Sequence, residues 1–259
     1  AAKTDAAVIV FCGVHFMAES AAILAKPRQK VFLPAMEAGC PLSDSITEAD
    51  FLKVWQNLKE VKIGTILPVA YVNSSAAIKA CVGAEGGSVC TSSNAGAVLE
   101  WALGQADKVF FMPDQYLGRN SAFSLGLSEA QIYLWNKNKT AGEQKEYLKK
   151  PKIILWPGSC HVHAVFTVEQ INKFRQQYHQ GLVVVHPECQ KEVVDYADGV
   201  GSSHYIIDFV YKAFPGSAIA VGTEINLVNR LHNQYLGEKT IIPLCRSLCP
   251  NMYKTNLDN

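Results

Sequence analysis

Eight cysteines punctuate the 259 residues, at Cys12, Cys40, Cys81, Cys90, Cys160, Cys189, Cys245 and Cys249. None forms a CxxC pair, and they are too few and too dispersed for a small disulfide scaffold, so a metal or a nucleophile is the better expectation. Two polar pairs accompany them: Tyr71 with Asn73, and His186 with Glu188. Residues i and i+2 of a strand share a face, so each pair projects into one space. The ordinary pKa of His186 suits proton transfer, and Glu188 is suited to act as a base once partly desolvated. Thr91-Ser92-Ser93-Asn94 and Gly201-Ser202-Ser203 stand where helices begin. Hydroxyls there are N-caps by default, and the same geometry receives carboxylate or phosphate. No GxSxG, HExxH, Walker A or GxGxxG pattern occurs, so hydrolase, zincin and nucleotide-binding readings have no motif support.

The elements that must position these groups are short β-branched runs, each followed by a turn and a helical pattern. They are Val8 to Phe11, Thr65 to Leu67, Lys108 to Phe111, Lys152 to Leu155, Leu182 to Val185, Ala218 to Val221 and Thr240 to Ile242. Near-continuous apolar strands alternating with helices predict parallel sheets covered on both faces, with ligands beyond the strand carboxyl ends. The apolar run from Ala6 to Val14 has the length of a signal-peptide core but no cleavage-like site, and is expected to be a buried strand.

The pattern repeats. The stretch from Val69 through Val109-Phe110-Phe111 and Met112-Pro113-Asp114 ends at Cys160, and that from Val184 through Ile219-Ala220-Val221 and Gly222-Thr223-Glu224 ends at Cys249. A partial copy runs from Val8 through Gly13-Val14-His15 to Cys40. His15 and Cys40 are 25 residues apart, Thr223 and Cys249 are 26 apart, and Asp114 and Cys160 are 46 apart. The longer interval holds a charge-dense insertion, Asn136 to Lys150, expected as a solvated excursion. The fold expectation is α/β, three pseudo-threefold-related α/β/α sandwich units with parallel sheets: 1–62 (partial, its opening strand lying outside the chain), 63–180 and 181–259.

Each unit delivers one cysteine, and Cys40, Cys160 and Cys249 are expected to converge at the central interface on a soft metal centre. A [4Fe–4S] cluster held by three cysteines leaves one iron open as a Lewis acid, and zinc with three Cys and water is the competitor. Cys12, Cys81, Cys90 and Cys189 are expected as small hydrophobes, with Cys189 beside Glu188 and Cys245 a redox neighbour or bystander. His161 and His163 flank Cys160 as ligands or as outer hydrogen-bond donors.

With 49% hydrophobic residues the chain can bury a core, and 24 basic against 23 acidic residues give no footprint for nucleic acid or an acidic membrane surface. No run approaches the ~20 apolar residues of a transmembrane helix. A soluble protein acting on small molecules is expected.

Many ordered segments together resemble the quinolinate synthase family, iron–sulfur enzymes of de novo NAD biosynthesis. They include Gly13-Val14-His15-Phe16-Met17-Ala18-Glu19, Gly39-Cys40-Pro41-Leu42, Tyr71-Val72-Asn73-Ser74, Cys90-Thr91-Ser92-Ser93-Asn94 and Pro113-Asp114 with Leu117-Gly118. Trp156-Pro157-Gly158-Ser159-Cys160-His161-Val162-His163, His186-Pro187-Glu188-Cys189, Val200-Gly201-Ser202-Ser203, Gly222-Thr223-Glu224 and Cys249-Pro250-Asn251-Met252 complete them. The resemblance implies a transferase that condenses iminoaspartate with dihydroxyacetone phosphate to quinolinate, releasing phosphate and water. It implies a [4Fe–4S] cluster on Cys40, Cys160 and Cys249, and catalytic roles for Glu188, His186 and Tyr71. Substrate binding falls to Tyr71, Asn73, Ser92, His186, Glu188, Ser202 and Ser203. It further implies a cytoplasmic enzyme, a homodimer and a functional link to L-aspartate oxidase. Ser203 stands where the family commonly has Thr, and the family's His-x-Tyr and Gly-Asp-Ser segments and a C-terminal portion are expected outside this chain. The alternative is a non-catalytic metal- or cluster-binding protein of the same fold.

Overall fold

A computed structural model describes residues 3–258. Strand β1 (Val8–Val10), helix α1 (His15–Ile23) and strand β2 (Lys30–Phe32) form a two-stranded parallel sheet with one helix. The run at β1 is a strand but not a buried one: Val8 and Val10 are 54% and 59% exposed. β1 pairs only with β2, and two strands present too little surface to enclose their own side chains. Helix α2 (Glu48–Glu60) follows, started by a capping box between Thr47 and Asp50, and buries Phe51, Val54, Trp55 and Leu58. Their i, i+3, i+4, i+7 spacing makes one apolar stripe.

The second sheet carries β3 (Ile66–Tyr71), α3 (Ala76–Ala84), β4 (Ser88–Cys90), α4 (Ala95–Leu103), β5 (Lys108–Met112), α5 (Gln115–Ser124), β6 (Ile132–Leu134), α6 (Ala141–Leu148) and β7 (Ile153–Leu155). Its strand order is β4-β3-β5-β7-β6, parallel throughout. Alternate residues of β5 serve different cores: Phe110 and Met112 pack with the α2 stripe, Val109 and Phe111 with Leu99 and Leu117. That division is why the run is continuously apolar. Helix α5 lies so close to the sheet that a Cβ on Gly118 would sit 2.5 Å from Leu155 Cδ2 and 2.6 Å from Phe111 Cδ1.

The insertion at 136–150 is not merely solvated. A Thr140/Glu143 capping box starts α6, whose Ala141, Gln144 and Leu148 are buried. Gln144 Oε1 accepts from the Tyr133 hydroxyl at 2.9 Å and the Asn136 N–H at 3.0 Å. The charges occupy only the outer face.

The third sheet follows α7 (Val168–Gln177) and contains β8 (Leu182–Val185), α8 (Lys191–Asp195), β9 (Gly199–Val200), α9 (Ser203–Lys212), β10 (Ala218–Gly222), α10 (Ile225–Gln234) and β11 (Thr240–Pro243). Its order is β11-β10-β8-β9, also parallel. Val184, Ile219 and Val221 face one core, Val183, Val185 and Ala220 the other. The expected α/β class with parallel, helix-flanked sheets is observed. No helix among the described residues is long and apolar enough to cross a membrane.

Candidate metal and acid–base site

Residues from all three sheet regions bound one cavity of about 800 Å³. Cys40, Cys160 and Cys249 line it together, as do Tyr71, Asn73, His186, Glu188 and Ser203. Each cysteine is delivered by the same backbone bond. The first residue of the helix after a strand donates its N–H to the carbonyl two residues before the cysteine: His15 to Ala38 at 2.7 Å, Gln115 to Gly158 at 2.9 Å, and Ile225 to Ser247 at 2.9 Å. The bond shows that Val14, Asp114 and Glu224 are counterparts, so His15 and Thr223, matched by their spacing in the sequence, each lie one residue off, on opposite sides.

The remaining expected residues divide. Ser92 does not line the cavity but interacts with the Tyr71 hydroxyl at its edge. Ser202 is spent on the N-cap of α9, where its hydroxyl accepts from the Tyr205 N–H at 3.4 Å. Asn94, not a serine, occupies the N-cap position of α4 without a side-chain cap bond, and its side chain instead accepts from the preceding Thr91 N–H at 2.6 Å. Cys245 is outside the cavity lining and packs against the core that holds Phe166 and Cys189.

Glu188 is 1% exposed. Burial by itself would raise its carboxyl, but the His186 and His163 imidazoles and the hydrogen bonds from His163 and Tyr71 hold it below the usual carboxylate range. His163 Nδ1 lies 2.8 Å from Glu188 Oε2, and its Nε2 lies 3.1 Å from Thr223 Oγ1. The partner expected from the sequence, His186, is farther, with Nδ1 3.9 Å from Glu188 Oε1. His186 instead stacks on His163 with ring centroids 4.3 Å apart, and its Nδ1 accepts the Glu188 N–H at 3.4 Å. Burial, reinforced by His163, pushes the His186 pKa down to about 3, so it is a neutral imidazole with its proton on Nε2. Burial and the Glu188 charge raise the Tyr71 phenol well above its ordinary range, which keeps it a proton donor to Glu188.

Two groups escaped the residue-by-residue reading. His163 was weighed only as a cysteine neighbour, and its 25-residue separation from Glu188 hides the pairing. Asn120 was not singled out at all. From α5 its side-chain amide donates to the Pro187 and Cys189 carbonyls at 2.9 and 2.8 Å, clamping the turn on both sides of Glu188.

The donor set fits a soft metal centre. Burial pushes the Cys40 thiol up to about 11, and burial with the Glu188 charge pushes Cys160 higher still. Arg230 is the sole Lys or Arg among the lining residues. Three thiolates gathered there need a bound cation to be stable, and a metal supplies it. Separately, ligand atoms of Cys160, His163 and Glu188 lie within 4.8 Å of one another.

A family model described as quinolinate synthetase A protein matches residues 1–259. The chain belongs to that family. It is an enzyme family of NAD biosynthesis, as the resemblance read from the sequence implied. Quinolinate synthase of Lysinibacillus sphaericus is 46% identical over 258 residues, covering 100% of this chain and 70% of the relative. That of a Geobacillus species matches with the same identity and coverage. The Corynebacterium glutamicum enzyme is 48% identical over 260 residues, covering 98% of this chain and 66% of its own length.

Proposed function

We propose that the chain carries the quinolinate synthase reaction, condensing iminoaspartate with dihydroxyacetone phosphate and releasing phosphate and two waters. The observation that carries this reading is the convergence of Cys40, Cys160 and Cys249 on the cavity that also holds the Glu188–His163 pair. Cys40, Cys160 and Cys249 hold a [4Fe–4S] cluster, and the units 1–62, 63–180 and 181–259 surround it about a pseudo-threefold axis. When bound, the cluster supplies an open iron that acts as a Lewis acid toward a substrate carboxylate or hydroxyl.

The protein's own groups do the rest. Glu188, held ionised, is the base that removes carbon-bound protons, and His163 fixes its orientation by donating Nδ1–H while Nε2 is hydrogen-bonded to Thr223. Tyr71 keeps its proton and donates its O–H to a Glu188 oxygen, helping to hold the carboxylate in place. Neutral His186 offers Nε2–H to a substrate oxygen, and Asn73 and Ser203 bind carboxylate or phosphate at the cavity wall. Ser92 sets the Tyr71 hydroxyl, and Ser202 holds the α9 N-terminus that presents Ser203.

Anaerobic purification and assay with iminoaspartate and dihydroxyacetone phosphate test the reading. Brown protein with about four irons per chain and quinolinate formation support it. The close approach of Cys160, His163 and Glu188 favours a second reading, a single zinc on those three side chains with no catalysis. Colourless protein carrying one zinc, which is lost in His163→Gln but not in Cys40→Ser, selects that alternative.

A further inference from the structure

The backbone latch that delivers each cysteine is common to the three units, but a second bond is not. In the second unit Asp114, fully buried, caps α5 with Oδ1 accepting the Leu117 N–H at 2.8 Å, and Oδ2 accepts the Cys160 N–H at 3.2 Å. In the third unit Glu224 does the same from the same position. Its Oε2 accepts the Asn226 N–H at the start of α10 at 2.7 Å, and its Oε1 accepts the Cys249 N–H at 3.4 Å. In the first unit the helix N-cap is Val14, which has no side-chain oxygen to offer either α1 or Cys40.

We infer that Asp114 and Glu224 are positioning residues, each tying a helix N-terminus to the main chain of one cysteine, and that Cys40 has no such carboxyl tie. The inference rests on the three-cysteine reading above and deepens it. A carboxyl group suits the task because two oxygens accept two N–H groups at once, whereas an amide of equal size accepts at one end only and turns its NH₂ toward the other donor. One oxygen on the helix and one on the cysteine also make a rigid coupling, so the sheet and helix, not the loop, set where Sγ points. This is the support that outer-shell hydrogen bonds give to metal ligands generally. The consequence is an inequivalent set: two cysteines tied to a helix by a carboxyl group and one without that tie.

Asp114→Asn and Glu224→Gln test this in the full chain, with Glu238→Gln, an exposed carboxylate remote from the cavity, as control. Two readouts are used besides turnover. In metal-free protein, hydrogen exchange is expected to accelerate at the Cys160 amide in Asp114→Asn and at the Cys249 amide in Glu224→Gln, each leaving the other site unchanged. After anaerobic reconstitution, loss of iron to a chelator is expected to run roughly tenfold faster in both variants and at the wild-type rate in Glu238→Gln. Glu224 lies at the cavity wall and is half-buried, so its variant decides the matter if Asp114→Asn fails to fold. Unchanged exchange and unchanged iron loss, in variants folded as judged by circular dichroism, overturn the inference while leaving a wild-type protein that binds iron. A wild-type protein that takes up no iron overturns the three-cysteine reading itself, and the inference with it.

Discussion

His163 and Glu188 meet at 2.8 Å from opposite sides of a sequence gap of 25 residues, and Thr223 closes the other end of the imidazole at 3.1 Å. The arrangement engages both ring nitrogens, Nδ1 with the carboxylate and Nε2 with the threonine hydroxyl, and so fixes the plane and orientation of the ring. A buried carboxylate so held has little freedom to turn away from the cavity.

Glu188→Gln is expected to keep iron and sulfide at wild-type levels and to lower quinolinate formation by at least about a hundredfold. Product formation near the wild-type rate in this variant removes Glu188 as the base.

His163→Gln should lower kcat roughly tenfold with a small change in KM, because it loosens the base without touching substrate. Combined with Glu188→Gln it should add almost nothing, since both act through one group. Fully additive effects in the double-mutant cycle separate the two residues.

Asn120→Ala leaves the Pro187 and Cys189 carbonyls without their donor on both sides of Glu188. A lost partner for a buried acceptor costs about 1–3 kcal/mol, so thermal unfolding should begin several degrees lower and turnover should fall with it. A variant of unchanged stability and activity shows that the turn holds itself.

Cys160→Ser is expected to abolish cluster uptake, whereas Cys12→Ser at an exposed position is expected to leave it intact. Gly158→Ala is expected to behave like Cys160→Ser, because the added Cβ would fall 2.4 Å from the Pro113 carbonyl oxygen and break the latch to Gln115. Iron content by elemental analysis after anaerobic reconstitution decides both, and full occupancy in either contradicts the assignment.

Cys90 offers a pH test away from the cavity. Burial pushes its thiol from 9.0 up to about 12, so the folded chain keeps the proton where the unfolded chain releases it. Its contribution to stability is therefore complete below pH 9 and declines as pH rises toward 12. Iodoacetamide at pH 9 should label exposed Cys12 in native protein and reach Cys90 only on unfolding; rapid native labelling of Cys90 contradicts its burial.

Much of the fold was legible in the sequence because its signals are local. Strands buried on both faces must be continuously apolar, as Val109 to Phe111 and Val183 to Val185 are. The repeated strand, turn and helix before Cys40, Cys160 and Cys249 marked three cysteines among eight by chain order alone. The parts that failed depend on what lies across from a residue. Val8 and Val10 form a strand as their β-branched side chains favour, yet their burial depended on a covering layer. The charged run at 136–150 hid a helix whose inner face is only Ala141, Gln144 and Leu148.

The sequence by itself determined the chemistry on offer: three repeat-related thiols, a strand-end Tyr-Asn pair and a His-Glu pair. Tertiary structure alone decided which groups act together. His186 and Glu188 share a strand end, but the hydrogen bond to the carboxylate goes to His163, which arrives from the Cys160 turn. Period-2 geometry says only that two side chains leave the same face. Which donor comes within 3 Å is set by how separate sheets pack, and in a buried site the nearer, better-aligned donor takes the charge.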